Sequence, residues 1–421
     1  MKKSTSIKPA TNSVLIGIDW AKDKHDFCLQ SPCGHCESGQ IEQDDIKLHS
    51  WLNDLGTRFA GRRLSICMEA GRAPLLWRLE AHENVDLFVV NTTTAARYRK
   101  TFAPSGDKND QRDAASILDL MRCHPEKVSF HRKADGQTRA MDQLTQARRN
   151  AVDRRTGVIS GLREVLELYH PIASRLFEDL SRPMAMDFIK RWPDPSSLLK
   201  TRRETFVKFF HQHGSRSDEL IEKRLDLIAR ANRLTEDPVI LEVASMRMND
   251  HVSQIETLNR SIKDYEQSIE PIFEDHEKSE IFQSLPGAAE KLAPRLLAAF
   301  CMIDPQDAKQ MQTMVGIAPI RVQSGHSKKT FMRRQCPKFI RQSFQEFAGC
   351  SVKYSAWAKA FYENHMKEKD SGAQAAKRAL AFKWIRILVA CWKNNTVYNE
   401  MKYIAALQRR NSPLAKLIID Q

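Results

Sequence analysis

Four acidic residues within the first 113 positions have the types and spacing that could do chemistry. Asp19 closes the run Val14-Leu-Ile-Gly-Ile-Asp19, and Glu69 closes Leu64-Ser-Ile-Cys-Met-Glu69. Asp110 and Asp113 follow in Lys108-Asn-Asp110-Gln-Arg-Asp113-Ala114. The first two end apolar, β-rich runs, where a side chain leaves the sheet edge and points at whatever lies beyond it. The second two are three residues apart at a helix start, so they share one helical face. Taken singly, each has a plain reading: a solvated strand end for Asp19 and Glu69, and helix N-terminal acids favoured by the dipole for Asp110 and Asp113. Taken together, four carboxylates converging from two strand ends and a helix make a hard, oxygen-rich site. Such a site suits one or two Mg²⁺ ions and the cutting of phosphodiester bonds.

The elements that must position these acids read as three strands, then alternating helix and strand. Val14–Trp20, Asp26–Gln30 and Glu37–Ile41 form an antiparallel meander. Helix follows over Ile46–Leu55, strand over Leu64–Met68, a Gly71-Arg-Ala-Pro74 turn, helix near Leu75–Ala81 and strand over Val85–Val90. Another helix starts at Asn91, and the Pro104-Ser-Gly-Asp107 loop leads into helix Gln111–Arg122. Three strands followed by helix-strand-helix-strand-helix is the order of a ribonuclease-H-like α/β fold. Asp23 and Asp26 are expected on or beside the outer face of the first hairpin.

The middle of the chain reads as helix. Leu144, Arg148, Ala151, Arg155, Val158, Leu162 and Val165 step by three and four, a heptad rhythm broken by two arginines. Val252, Ile255, Leu258, Ile262, Tyr265, Ile269 and Ile272 keep the rhythm more cleanly. Two such helices around a region of shorter ones (about 170–237) predict an antiparallel pair or a coiled coil used in assembly, with an ordinary buried helical stripe equally compatible. From about Glu280 the elements are compact and marked by Gly and Pro. Ser284-Leu-Pro-Gly287 before the apolar helix Ala288–Phe300 is a helix-hairpin-helix signature, whose backbone N–H groups can face a phosphate. Met314-Val-Gly316-Ile-Ala-Pro319 leads into Ile320–Lys329, and helices over Lys338–Val352, Ala373–Lys393 and Val397–Leu407 close the chain. The expected organisation is a basic, disordered tail (1–13), an α/β domain (14–130), a helical region (131–278) and a mostly helical C-terminal domain (279–421), an α/β plus α chain overall.

Composition bounds the partners. At 421 residues, 42% hydrophobic and 8% aromatic, the chain has material for two or three soluble domains. No apolar run approaches the roughly 20 residues of a membrane span, and the start lacks a secretory signal's apolar stretch, so the expected compartment is the cytoplasm. A net charge of +14 and a pI near 9.3 favour a polyanionic partner. The cations cluster as a footprint would: Arg148, Arg149, Arg154 and Arg155 in one stretch, then Lys328, Lys329, Arg333, Arg334, Lys338 and Arg341 in another. Nine cysteines without regular spacing fit a reducing compartment. Cys33-Gly-His-Cys36 has redox spacing, but it lies between two strand-like runs and reads as a hairpin turn rather than a helix N-terminus.

With these residues in order, the chain resembles the DEDD transposases of the IS-one-ten insertion-sequence family, which includes pilin-gene invertases and bridge-RNA-guided recombinases. The N-terminal resemblance lies in Gly17-Ile-Asp19-Trp-Ala-Lys22, Met68-Glu69-Ala-Gly71, Val89-Val-Asn91 and Lys108-Asn-Asp110-Gln-Arg-Asp113-Ala-Ala115. The C-terminal part lies in Leu285-Pro-Gly287, Gly316-Ile-Ala-Pro319, Gln323-Ser324-Gly325 and Arg333-Arg-Gln-Cys-Pro-Lys-Phe-Ile-Arg341. By that resemblance Asp19, Glu69, Asp110 and Asp113 are a metal-binding tetrad. Ser324 is a nucleophile that attacks a DNA phosphodiester and forms a phosphoserine link before strand exchange. The resemblance also implies donor and target DNA, a noncoding guide RNA that pairs with them, and a homo-oligomer (dimer or tetramer) whose two sites can come from different subunits. Two positions depart from the pattern: Ala289 stands where relatives commonly have a second glycine, and Cys336-Pro337 where they often have Gly-Asn.

Three other readings compete. A hydrolytic nuclease of the Holliday-junction-resolvase kind would use the acidic tetrad alone and leave Ser324 in a binding element. A sugar-kinase or actin-like ATPase also ends its first strand in Gly-Ile-Asp, but needs Gly-rich phosphate loops that this chain lacks. A catalytically dead nucleic-acid-binding protein would have no use for all four carboxylates and Ser324. His326 is the imidazole nearest Ser324 in the sequence, and spacing alone gives it no role.

Overall fold

A computed structural model describes residues 8–10, 12–69, 73–102, 110–131, 133–231, 234–325, 327–369 and 372–419. Most of the expected tail, Gly71 and Arg72 of the expected turn, the Pro104–Asp107 loop, Lys108, Asn109 and His326 lie outside the described residues. The chain divides into two compact units, Met1–Ala134 and Asp135–Gln421.

The first unit is built on a six-stranded sheet. Its strands are β1 (Val14–Asp19), β2 (Lys24–Gln30), β3 (Cys36–Glu42), β4 (Leu64–Glu69), β5 (Val85–Val90) and the short β6 (Ser129–Phe130), in the spatial order β3-β2-β1-β4-β5-β6. The first three pair antiparallel, β4 and β5 run parallel to β1, and β6 returns antiparallel. Cys33 and Cys36 sit at the β2–β3 turn, where Gly34 has φ +93°. The turn is the one expected, and all nine cysteines are free.

Strand alternation sorts the side chains into two layers. Val14, Ile16 and Ile18 of β1 and Leu64, Ile66 and Met68 of β4 share one core with Leu48, Leu52 and Leu55 of α1 (Asp45–Arg58) and with Leu75 and Leu79 of α2 (Ala73–Glu80). On the opposite face, Cys67 and Phe88 pack with Ala95 of α3 (Thr92–Phe102) and with Ile117, Leu120 and Met121 of α4 (Asp110–Cys123). The result is a helix–sheet–helix sandwich.

The second unit is helical. Two long helices, α5 (Gly136–Tyr169) and α11 (Pro238–Glu274), bracket five short ones: α6 (Pro171–Leu176), α7 (Pro183–Arg191), α8 (Pro195–Leu199), α9 (Arg203–Gln212) and α10 (Asp218–Ala229). The pairs Gln137–Asp275, Arg148–Glu266 and Arg155–Asn259 descend one helix as they ascend the other, so α5 and α11 run antiparallel. This is why two arginines interrupt the first heptad stripe: Arg148 donates to Glu266 at 2.6 and 2.8 Å, and Arg155 to Asn259 at 2.7 Å.

The rest of the unit comprises α12 (Ser279–Gln283), α13 (Ala289–Ile303), α14 (Ala308–Met314), the hairpin β7 (Ile320–Ser324) and β8 (Ser327–Phe331), then α15 (Lys338–Ser351), α16 (Ala356–Lys369), α17 (Ala373–Asn394), α18 (Glu400–Arg409) and α19 (Pro413–Ile419). Its core gathers Phe300, Phe344, Phe347, Trp357 and Trp384. Gly287 has φ +80°, and an added Cβ would meet the Cys350 backbone at 3.0 Å. Ala289 also lies in the left-handed region, at φ +44°, a conformation that favours glycine. Pro337 caps α15, which starts at Lys338.

Candidate active site

The four N-terminal carboxylates share one face and one end of the sheet. Asp19 alternates with Leu15 and Gly17, and Glu69 with Ser65 and Cys67, so both lie on the face that α4 covers. Parallel pairing brings Ile18 opposite Met68, one residue before Asp19 and Glu69. From across the layer, α4 presents Asp110 and Asp113 in its first turn, where the helix dipole favours negative charge.

Contact between the layers is set by Gly17. A Cβ built there would stand 2.3 Å from the Ala114 carbonyl oxygen and 2.5 Å from the Leu118 nitrogen. Only hydrogen fits, so the α4 backbone rests directly on β1 and its first turn reaches Asp19. Ligand oxygens of Asp19, Asp110 and Asp113 all lie within 4.8 Å of one another. Glu69 shares the face and the sheet end but is not within that group of three.

The group grades from buried Asp113 through half-buried Asp19 to exposed Asp110, so one side of it opens to solvent. Asp113 Oδ2 pairs with the Arg99 guanidinium from α3. Asp113 Oδ1 is buried and has no hydrogen-bond partner among the described residues. A buried carboxylate oxygen in that state is destabilising unless something occupies it. The donor set is all oxygen, which suits a hard cation and fits a metal-dependent site.

Two residues around this site escape sequence reasoning. Asp26, expected near the hairpin's outer face, is instead 5% exposed and pairs directly across from Asp19 in the β1–β2 ladder. Its Oδ1 accepts a 3.2 Å hydrogen bond from Gln40 on β3, so it borders the group on the same face. The alternation of β2 was its only signal: Asp26 keeps step with Cys28, which packs against α4. His25 is fully buried, and burial lowers its pKa. The neutral ring accepts the Ala21 N–H at Nδ1 and donates from Nε2 to Gln43, holding the turn that follows Asp19.

In the second unit, Ser324 ends β7 at the tip of a hairpin exposed along both strands. It pairs with Ser327 across the ladder, and Gly325 beyond it has φ +54°. Lys328 and Lys329 follow on β8, exposed, as are Arg334 and Lys338. Arg333 is half-buried with an unpartnered Nε, and Arg341 donates to the Arg333 carbonyl at 2.9 Å.

The other cationic cluster does not form one free surface. Arg148 is bound to Glu266, and Arg155 to Asn259. Arg149 bridges Asp153 and Glu346, and the same Glu346 neutralises Arg295, which is only 4% exposed. Arg154 is the one of the four that stands exposed with no ion pair among the described residues. Sequence clustering missed this because heptad position decides which arginines point inward.

Comparison with known proteins gives the family. Residues 16–171 match the DEDD transposase family model of the IS110 type, described as transposase. Residues 279–363 match the model described as the transposase IS116/IS110/IS902 family. The chain belongs to this transposase family and is an enzyme that acts on DNA. It is similar to a Streptomyces coelicolor protein assigned by its name to transposition of the IS117 mini-circle. The two are 26% identical over 410 residues, covering 94% of this chain and 97% of that one. It is also similar to a Streptomyces clavuligerus protein named for insertion element IS116 and called uncharacterized, 24% identical over 63% of this chain and 66% of that one. No helix among the described residues is long and apolar enough to cross a membrane.

Proposed function

We propose that this transposase cuts and rejoins DNA with two sets of groups: a cation-binding set of Asp19, Glu69, Asp110 and Asp113, and a nucleophile, Ser324. The observation that carries the reading is the meeting of Asp19 with Asp110 and Asp113 around the unpartnered Asp113 Oδ1. Residues 14–130 would then be a ribonuclease-H-like catalytic domain. Supporting that are the strand order, with three antiparallel strands leading into two parallel ones, and the carboxylates at the strand ends.

Bound Mg²⁺, one ion or two, would supply charge stabilisation of a phosphate and of a departing oxygen. Asp19 and Asp113 supply ligand oxygens fixed by the β1–α4 contact, Asp110 closes the solvent side, and Arg99 limits the repulsion among them. Ser324 Oγ bonds to phosphorus as the bond from phosphorus to a deoxyribose oxygen breaks, the hydroxyl proton leaves and the departing oxygen gains one. Attack by a deoxyribose hydroxyl of another strand reverses these changes, frees Ser324 and restores a phosphodiester, with no redox change or outside energy.

A homo-oligomer, dimer or tetramer, is the proposed working form, on the strength of the family resemblance. Donor and target DNA are the substrates. A noncoding RNA is the proposed guide, on the strength of the family resemblance and the chain's positive excess. Exposed Lys328, Lys329, Arg334 and Lys338 are the proposed phosphate contacts beside Ser324, with Arg154 as one on α5.

Denaturing gels test the chemistry. Wild type incubated with labelled element-end DNA should retain a covalently attached strand, and Ser324→Ala should not. An adduct that persists in Ser324→Ala removes the serine from the reaction. The second reading, a nuclease using the carboxylates alone, then applies.

A further inference from the structure

A groove beside the Ser324 hairpin has a composition that the proposed phosphate contacts leave unexplained. It has a volume of about 690 Å³ and three walls. Helix α17 supplies Ala375, Arg378, Ala379, Phe382, Lys383 and Arg386, whose steps of three and one place them on one helical face. The opposite face, with Leu380, Trp384 and Leu388, is fully buried in the core. Helix α16 adds Phe361, Asn364 and His365, again one face. The hairpin closes the third side with Arg321, which pairs with Thr330 across the ladder, and with Phe331.

Among the described residues that line it there is no Asp or Glu. Among the described residues, Arg321, Arg378, Lys383 and Arg386 make no ion pair with a carboxylate. Arg378 donates only to the Met332 sulfur, at 3.3 Å, and the Lys383 ammonium sits 4.7 Å from the centre of the Phe361 ring. Burial and the neighbouring Arg386 both lower the Lys383 pKa. Four uncompensated cations crowded around aromatic rings are unfavourable in an isolated fold. By contrast Arg148, Arg149 and Arg295 in the same unit are all supplied with carboxylates.

We infer that this groove seats an unpaired stretch of the DNA strand, with phosphates on Arg321, Arg378 and Arg386 and a base against Phe331. Cations tracking a backbone, interleaved with aromatic side chains, are what single-stranded nucleic acid needs. The volume is that of a small-molecule cleft, so bases enter only when unpaired. Arg321 lies three residues before Ser324 on the same strand, about 10 Å at 3.3 Å per residue, so a strand held here runs toward the hairpin tip. The inference rests on the transposase reading only for its choice of DNA.

The test is binding of a labelled single-stranded oligodeoxynucleotide to the full chain in EDTA, beside the same sequence as a duplex. EDTA removes the carboxylate site from the result, and binding requires no attack by Ser324, so failure here is distinct from failure of the proposed chemistry. Arg378→Gln with Arg386→Gln should reduce the salt slope for the single strand by about 1.4. Phe331→Ala changes a 51% exposed side chain outside the core and should weaken single-strand binding about five-fold or more. Duplex affinity should change less than two-fold in Phe331→Ala. Equal losses for both DNA forms would overturn the inference and leave a general electrostatic patch. Loss of single-stranded RNA binding with DNA binding intact would also overturn it, making the groove an RNA seat.

Discussion

Gly17→Ala should damage the proposed cation site without touching a carboxylate. The added methyl would begin 2.3 Å from the Ala114 carbonyl oxygen and 2.5 Å from the Leu118 nitrogen, both main-chain atoms that cannot rotate aside. Ordinary contact needs 3.4 Å or more, so the sheet and α4 must part by about 1 Å; overpacking of this kind costs about 1–3 kcal/mol. The N-terminal unit should therefore melt several degrees lower. Asp110 and Asp113 ride on α4 and Asp19 on β1, so the same movement spreads the three ligands. Oxygen positions around a small divalent cation tolerate a few tenths of an ångström, and the affinity loss should be about 10- to 100-fold, the range seen when supporting contacts are removed. Calorimetric titration of the full chain with Mn²⁺, beside thermal melts, reads both effects. Gly56→Ala is the control: it lies in α1, its Cβ meets nothing within 4 Å, and it should leave Mn²⁺ binding unchanged. Wild-type affinity and melting in Gly17→Ala would refute the claim that the β1–α4 contact builds the site.

Ala289→Gly should stabilise the chain by about 0.5–1 kcal/mol, because relief of roughly 1–2 kcal/mol of left-handed strain at φ +44° exceeds the entropy cost of glycine; an unchanged or lower melting temperature would count against it. His170 is fully buried, accepts no proton readily because burial lowers its pKa to about 4, and donates from Nε2 to the Trp192 carbonyl. The unfolded chain binds that proton first, so stability should fall as pH drops from about 6.5 toward 4, by roughly 3 kcal/mol at 1.36 kcal/mol per unit. Melts across that window should show a steeper loss in wild type than in His170→Gln. Glu346→Leu strands the Arg295 charge, which is 4% exposed, and should destabilise by about 3 kcal/mol or more in denaturant titrations.

Much of the N-terminal layout was legible because one residue type marks each event. Apolar runs ending in Asp19 and Glu69 announce strand ends, and Asp110-x-x-Asp113 announces a helix start. The closeness of α4 to β1 was not legible, since Gly17 reads as part of a Gly-Ile-Asp motif until a helix is seen to occupy its missing Cβ. Asp26 was misplaced for a related reason: β2 is covered on both faces, so polarity alone did not say which side its aspartate takes. In the helical unit, heptad spacing identified α5 and α11 but not the inward commitment of Arg148 and Arg155, which depends on Glu266 and Asn259 more than 100 residues away. Helix α16 carries no sharp stripe, and its aromatic groove emerges only when α17 and the hairpin are set beside it.

The most direct test is recombination in cells carrying donor and target plasmids and the element's flanking noncoding DNA, with wild type beside Ser324→Ala, Asp19→Ala and Asp113→Asn. Junction product from wild type alone is the predicted result, placing both the carboxylate group and the serine in one reaction. Product surviving in Ser324→Ala would contradict the account and leave a carboxylate-only enzyme; product surviving in both aspartate variants would remove the cation site from the chemistry.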